Sequence, residues 1–67
     1  MTLKKAQVIA KVIHIRLTET GQPYSKYRLN RIDGGNSKTA RHARTIDEAM
    51  KIAIEMSIDI DLEKNRI

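Results

Sequence analysis

At Thr45 the chain changes character in two ways at once, and this junction constrains its fold more than any other feature. Residues 45–48 read Thr-Ile-Asp-Glu. A threonine followed three residues later by glutamate is the reciprocal pattern that satisfies free N–H groups at a helix start. Asp47 and Glu48 also suit the positive end of the helix dipole. The same point divides the charge. Residues 1–44 hold ten Lys/Arg against two acids, Glu19 and Asp33, whereas residues 45–67 hold three against six. A basic body that reads as strands, joined to an acidic helix, suggests a sheet facing a polyanion and backed by that helix.

Sixty-seven residues bound the fold to one domain with a thin core and marginal stability. Small domains often gain stability from disulfides or metals. This chain has no cysteine, and its two histidines, His14 and His42, are too few for a closed zinc site. No cofactor is expected. Oligomerisation remains as a route to added stability. Phe and Trp are absent and Tyr24 and Tyr27 are the only aromatics, so the core must be aliphatic. The most apolar stretch, residues 8–17, is interrupted by Lys11, His14 and Arg16 and cannot span a bilayer. No apolar leader with a cleavage site follows the basic N-terminus. These features predict a cytoplasmic, unprocessed protein with no membrane partner.

Residues 8–17 are dense in β-branched side chains, which favour strand. Ile13, Ile15 and Leu17 alternate with His14, Arg16 and Thr18, while upstream the apolar set shifts phase to Ala6, Val8, Ala10 and Val12. The pattern predicts a first strand over about 7–18 with a bulge near Val12 and Ile13. A short helix from Thr2, using Leu3, Ala6, Ala10 and Ile13, is the rival reading. Thr20-Gly21-Gln22-Pro23 is a turn. A second strand follows over about 24–32, with Tyr27 and Leu29 on one face and Lys26, Arg28 and Asn30 on the other. Asp33-Gly34-Gly35-Asn36 has hairpin chemistry. It leads to a weak third strand over about 37–44, with Ala40 and Ala43 as its only apolar residues. A helix follows over about 46–57, with Ile46, Ala49, Met50, Ala53 and Ser57 as its stripe and Ile54 and Met56 at the edges. In the tail, residues 58–67, Ile58, Ile60 and Leu62 alternate with acids. Acids at a helix C-terminus oppose the dipole, which favours a short terminal strand over continued helix.

Lys26 and Arg28 share a side of the second strand. On the third, Arg41 lies on the opposite side from Lys38, His42 and Arg44. A bend at Gly34 and Gly35 brings the two rows together. Like charges across a strand pair repel, so an anionic partner would relieve the row. Phosphate contacts by Lys and Arg give sequence-independent affinity, and a β-ribbon fits the major groove. The candidate nucleic-acid-binding residues are Tyr24, Lys26, Arg28, Arg31, Lys38, Arg41, His42 and Arg44. Tyr24 is in phase with Lys26 and Arg28 and could stack on a base; Tyr27 is in phase with Leu29 and belongs to the core. His14 is exposed beside Arg16. Ile58, Ile60 and Leu62 form a candidate edge for a homodimer or another partner.

Tyr27-Arg28-Leu29, the Asp33-Gly34-Gly35 turn, Lys38-Thr39 and the run from Thr45 through Glu48-Ala49 resemble the arm-type DNA-binding domains of tyrosine recombinases. The similarity covers residues 27–53, under half the chain. It departs from the pattern at one point, since no aromatic stands just before Thr45. The resemblance implies a three-stranded sheet packed on a helix, entering the major groove through Lys26, Arg28, Lys38 and Arg41.

The expected fold is therefore α+β: an antiparallel sheet of three strands, or four if the tail joins it, on one amphipathic helix. The expected function is non-enzymatic binding of nucleic acid, DNA in preference to RNA. No residue set has the convergent partners that acid–base catalysis needs. The alternative is a small adaptor or inhibitor that meets an acidic or other protein partner through its sheet edge or its acidic helix and tail.

Overall fold

A computed structural model describes residues 1–65. It shows an α+β fold with an open three-stranded antiparallel sheet and two helices. The elements run α1 (Leu3–Val12), β1 (Ile15–Glu19), β2 (Tyr27–Arg31), β3 (Arg41–Ala43) and α2 (Ile46–Lys64). The sheet order is β1-β2-β3. Ile15 pairs with Arg31 and Leu17 with Leu29 across β1 and β2; Tyr27 pairs with Ala43 across β2 and β3.

The first predicted strand is replaced by a helix over its first half. Thr2 caps α1, its hydroxyl accepting from the Lys5 N–H at 3.2 Å. Ala6 and Ala10 recur at four-residue spacing and are fully buried, with Leu3 and Ile13 packed beside them. The β-branched residues that argued for strand, Val8, Ile9 and Val12, are exposed. Propensity is a weak prior, and the buried alanine pair outweighs it. The phase change is therefore a helix-to-strand junction, with no bulge in a continuous strand. His14 marks it: its φ is +64° and its N–H donates to the Lys11 carbonyl at 3.0 Å. This is the left-handed residue that commonly ends a helix.

From Ile15 the expected alternation holds. Ile15 and Leu17 are buried while Arg16 and Thr18 are exposed. The second strand is shorter than expected, starting at Tyr27, because residues 20–26 form the turn. Thr20 ties it: its N–H donates to the Lys26 carbonyl at 2.8 Å and its hydroxyl to the Ser25 carbonyl at 2.6 Å. The third strand shrinks to three residues, as residues 37–39 form a turn instead.

α2 starts at the predicted cap, where the Thr45 hydroxyl accepts from the Glu48 N–H at 3.1 Å. It then runs on to Lys64, so the expected terminal strand is not formed over residues 58–64; Arg66 and Ile67 lie outside the described residues. Several contacts offset the acids at its end. Arg31 on β2 donates two hydrogen bonds to Glu63, at 2.9 and 3.1 Å. Lys64 sits in the last turn, where a cation suits the dipole. Asn65 donates from its backbone and side chain to the Asp61 carbonyl at 3.1 and 2.9 Å. Ile60 packs against the core.

Both helices lie on the same face of the sheet. That face contributes Ile15, Leu17, Tyr27, Leu29 and Ala43; the helices contribute Ala6, Ala10, Ala49, Met50, Ala53 and Met56. Ile15 and Leu29 are the largest fully buried side chains, and burying each contributes about 1.5–3 kcal/mol. The core is aliphatic apart from Tyr27. The four buried alanines of the helices let both share a sheet this small.

The left-handed His14 gives a direct check on the α1–β1 junction. His14→Gly should leave stability unchanged or raise it by up to about 1 kcal/mol, while His14→Val should lower it by about 1–2 kcal/mol. Urea unfolding of the two variants measures this, and equal effects would contradict a left-handed junction.

Candidate nucleic-acid interface

With both helices on one face, the other face of the sheet is left open. Alternation assigns its residues: Arg16 and Thr18 from β1, Arg28 and Asn30 from β2, and His42 from β3. Arg28 sits at the centre, paired with Thr18 on one side and His42 on the other. Arg16 pairs with Asn30 and so lies diagonal to Arg28, about 7–8 Å away by the geometry of such neighbours. This stagger keeps the two arginines from standing directly opposite each other and limits repulsion. No strand residue on this face is acidic. Arg16, Thr18, Arg28, Asn30, Arg31, Ile32 and Gly35 line a shallow depression of about 290 Å³.

The rim of this face is fixed by polar bonds. Asn30 Oδ1 accepts from the Thr39 hydroxyl at 2.6 Å, and its Nδ2 donates to the Asn36 carbonyl at 3.0 Å. The Asn36 N–H donates to the Thr39 hydroxyl at 2.9 Å, and Asn36 Oδ1 accepts from the Lys38 N–H at 2.8 Å. Gly35 lies so close that a side chain there would collide with the Arg31 carbonyl and with the Asn30 amide group. The loop is thus held against the end of β2.

The predicted site residues separate into three groups. Arg28 and His42 lie on the open face. Tyr24 and Arg44 flank its other end: Tyr24 is 79% exposed and its ring centroid is 6.0 Å from the Arg44 guanidinium carbon. A cation over a ring at an exposed site contributes about 0.5–1 kcal/mol. Tyr24 lies in the turn and not on the second strand. Lys26 precedes β2, and its ammonium lies 5.8 Å from the Tyr27 ring centroid.

Lys38 and Arg41 fall in the third group, away from the open face, and Arg31 joins them through its side chain although it also borders the open-face depression. Arg31 pairs with Ile15 and Arg41 with Leu29, both core residues, so both arginines project on the helix side. They line a depression there with Lys38, Thr39, Met56 and Asp59. The Arg31–Glu63 hydrogen bonds raise the Arg31 pKa above its ordinary value, and the charges of Glu63 and Asp59 add to this. A raised pKa favours the folded state below the ordinary arginine range, so arginine titration brings no pH switch at accessible pH. The single basic row expected from the hairpin is therefore divided, part facing outward and part turned toward the acids of α2.

Sequence reasoning left Arg16 out of the candidate set, although the alternation of Ile15 and Leu17 already placed it outward. Ile58, Ile60 and Leu62 do not share an edge. On a helix they divide, with Ile60 against the core and Ile58 and Leu62 exposed. Among the described residues no cluster of His, Cys, Asp or Glu could hold a metal ion, and no helix is long and apolar enough to cross a membrane. No protein-family profile, curated protein or solved structure matches the chain.

Asn30 anchors the loop beside the depression, so Asn30→Ala should lower stability by about 1–2 kcal/mol. It should also speed amide exchange at Asn36, Lys38 and Thr39 while leaving the helices protected. Unchanged exchange in that loop would contradict the anchoring role.

Proposed function

We propose that this chain is a non-enzymatic nucleic-acid-binding module that lays the open face of its sheet on duplex DNA. One observation carries the reading: an uncovered three-stranded face bears Arg16, Arg28 and His42 with no strand acid among them. Leaving a sheet face uncovered demands polar residues. It does not demand two arginines and a histidine with no acid, and an anionic partner accounts for that choice. Lys and Arg contacts to phosphates supply affinity independent of sequence. Thr18 and Asn30 lie between the cations and offer neutral hydrogen-bonding groups for base edges.

The choice of DNA over RNA rests on shape and on the aromatics. A sheet face fits the wide major groove of B-form DNA, whereas the A-form major groove of RNA is deep and narrow. Single-stranded RNA readers stack bases on sheet aromatics. Here Tyr27 is buried on the helix side and neither tyrosine lies on the strands of the open face, where His42 is the one aromatic ring among the described residues. Tyr24 with Arg44 at the end of the face is placed to meet the backbone. The proposal keeps the binding mode implied by the recombinase resemblance but changes the residues. Arg16, Arg28 and His42 take the role assigned there to Lys26, Arg28, Lys38 and Arg41.

Fluorescence anisotropy on a random-sequence duplex across about 50–200 mM salt tests this reading. Affinity should fall steeply with salt. Arg28→Ala and Arg16→Ala should each weaken binding and reduce the log–log salt slope by about one. Arg41→Ala, on the far side of the sheet, should change affinity less than about twofold, since charges beyond about 10 Å are largely screened at such salt. No binding at the lowest salt, or equal losses for Arg28→Ala and Arg41→Ala, would overturn the proposal.

A further inference from the structure

α2 is apolar on two opposite sides. Ala49, Ala53, Met56 and Ile60 turn toward the core. Ile54, Ile58 and Leu62 recur every four residues on the other side and are 52%, 53% and 64% exposed. α1 repeats the arrangement, with Ala6 and Ala10 buried and Val8 and Val12 60% and 74% exposed. A helix with one apolar stripe is explained by its own core; a second, opposite stripe calls for a second contact. The helices touch each other and share one face of the sheet. Their outward residues therefore form one surface, apolar and bordered by charge.

The charges point to what covers it. α1 carries Lys4, Lys5 and Lys11 and no acid. α2 carries Asp47, Glu48, Glu55 and Asp61 against Lys51 and Lys64, its other acids, Asp59 and Glu63, being turned toward Arg31. Half of the surface is basic and half acidic, so it is complementary to itself in one arrangement. We infer that two copies of the chain pack helix layer on helix layer, about a two-fold axis along the groove between α1 and α2. Each α1 then lies on the α2 of the other copy. The alternative two-fold, with like helices together, sets lysines on lysines and acids on acids, which costs association. In a two-fold contact the same patch serves both copies, so the charge match is made twice.

Helices of 10 and 19 residues present roughly 400 Å² in projection, at about 1.5 Å per residue and 10 Å width. Counted over both copies this is roughly 800 Å², below the standard size for specific pairs, which makes the dimer a weak and reversible one. The two open sheet faces point away from each other in such a dimer. For the DNA-binding reading, on which this consequence alone depends, the dimer would hold two duplexes apart on opposite sides.

Sedimentation of the full chain without DNA, from about 1 μM to 1 mM, tests the dimer independently of DNA binding. A reversible monomer–dimer equilibrium is expected. Ile58→Glu should weaken it at least about tenfold while circular dichroism and urea unfolding of the monomer stay unchanged. The Lys4→Glu/Lys11→Glu variant should also weaken it about tenfold, and adding Glu55→Lys/Asp61→Lys should bring it back to within about threefold of the original. A chain that stays monomeric throughout would overturn the inference. So would an α1 reversal that leaves association unchanged or strengthens it, or a fourfold variant that fails to recover.

Discussion

The packing of both helices on one side of the sheet is the constraint from which the rest follows. Five inward side chains, Ile15, Leu17, Tyr27, Leu29 and Ala43, meet the alanine and methionine faces of the two helices. A chain this short can bury one layer and not two. The opposite side of every strand must therefore meet solvent or a partner. The pleat that turns Leu17 and Leu29 inward also turns Arg16 and Arg28 outward. Core and candidate interface are thus two readings of one alternation.

The same constraint explains how the charge is distributed. Basic residues on β2 and β3 in phase with the core face, Arg31 and Arg41, emerge beside α2, and the Arg31–Glu63 pair joins strand to helix there. Such a half-exposed pair is a modest source of stability. Its two-point geometry still fixes the last turn of α2 against the sheet. The acidic helix thereby pairs with Arg31 on its own side, while Arg16 and Arg28 on the other side face no strand acid.

Where sequence patterns had a local cause, they were legible. The Thr45 cap, the inward phase of Tyr27 and Leu29, and the turn at Gly34 all depend on neighbours within a few residues. The N-terminal helix was misread because Val8, Ile9 and Val12 resemble strand residues. Only packing shows that Ala6 and Ala10 are the buried pair. The tail was misread for a related reason: its acids oppose the helix dipole, and the residue that offsets one of them, Arg31, is thirty-two positions away from Glu63. On the candidate face, Arg28 could be placed outward from the alternation of Tyr27 and Leu29, whereas setting His42 beside it required the register across β2 and β3. Arg41 could be assigned a side of its strand, but relating that side to Arg28 required the register across β2 and β3, which sets Arg41 opposite Leu29.

The claim that matters most is that binding is confined to the open face. Titrating isotopically labelled protein with a short DNA duplex and following backbone amide shifts by NMR tests it residue by residue. The account predicts that the largest changes fall on Arg16, Thr18, Arg28, Asn30 and His42, with the helices α1 and α2 little affected. Shifts concentrated on α2, or on Arg31, Lys38 and Arg41, would contradict it.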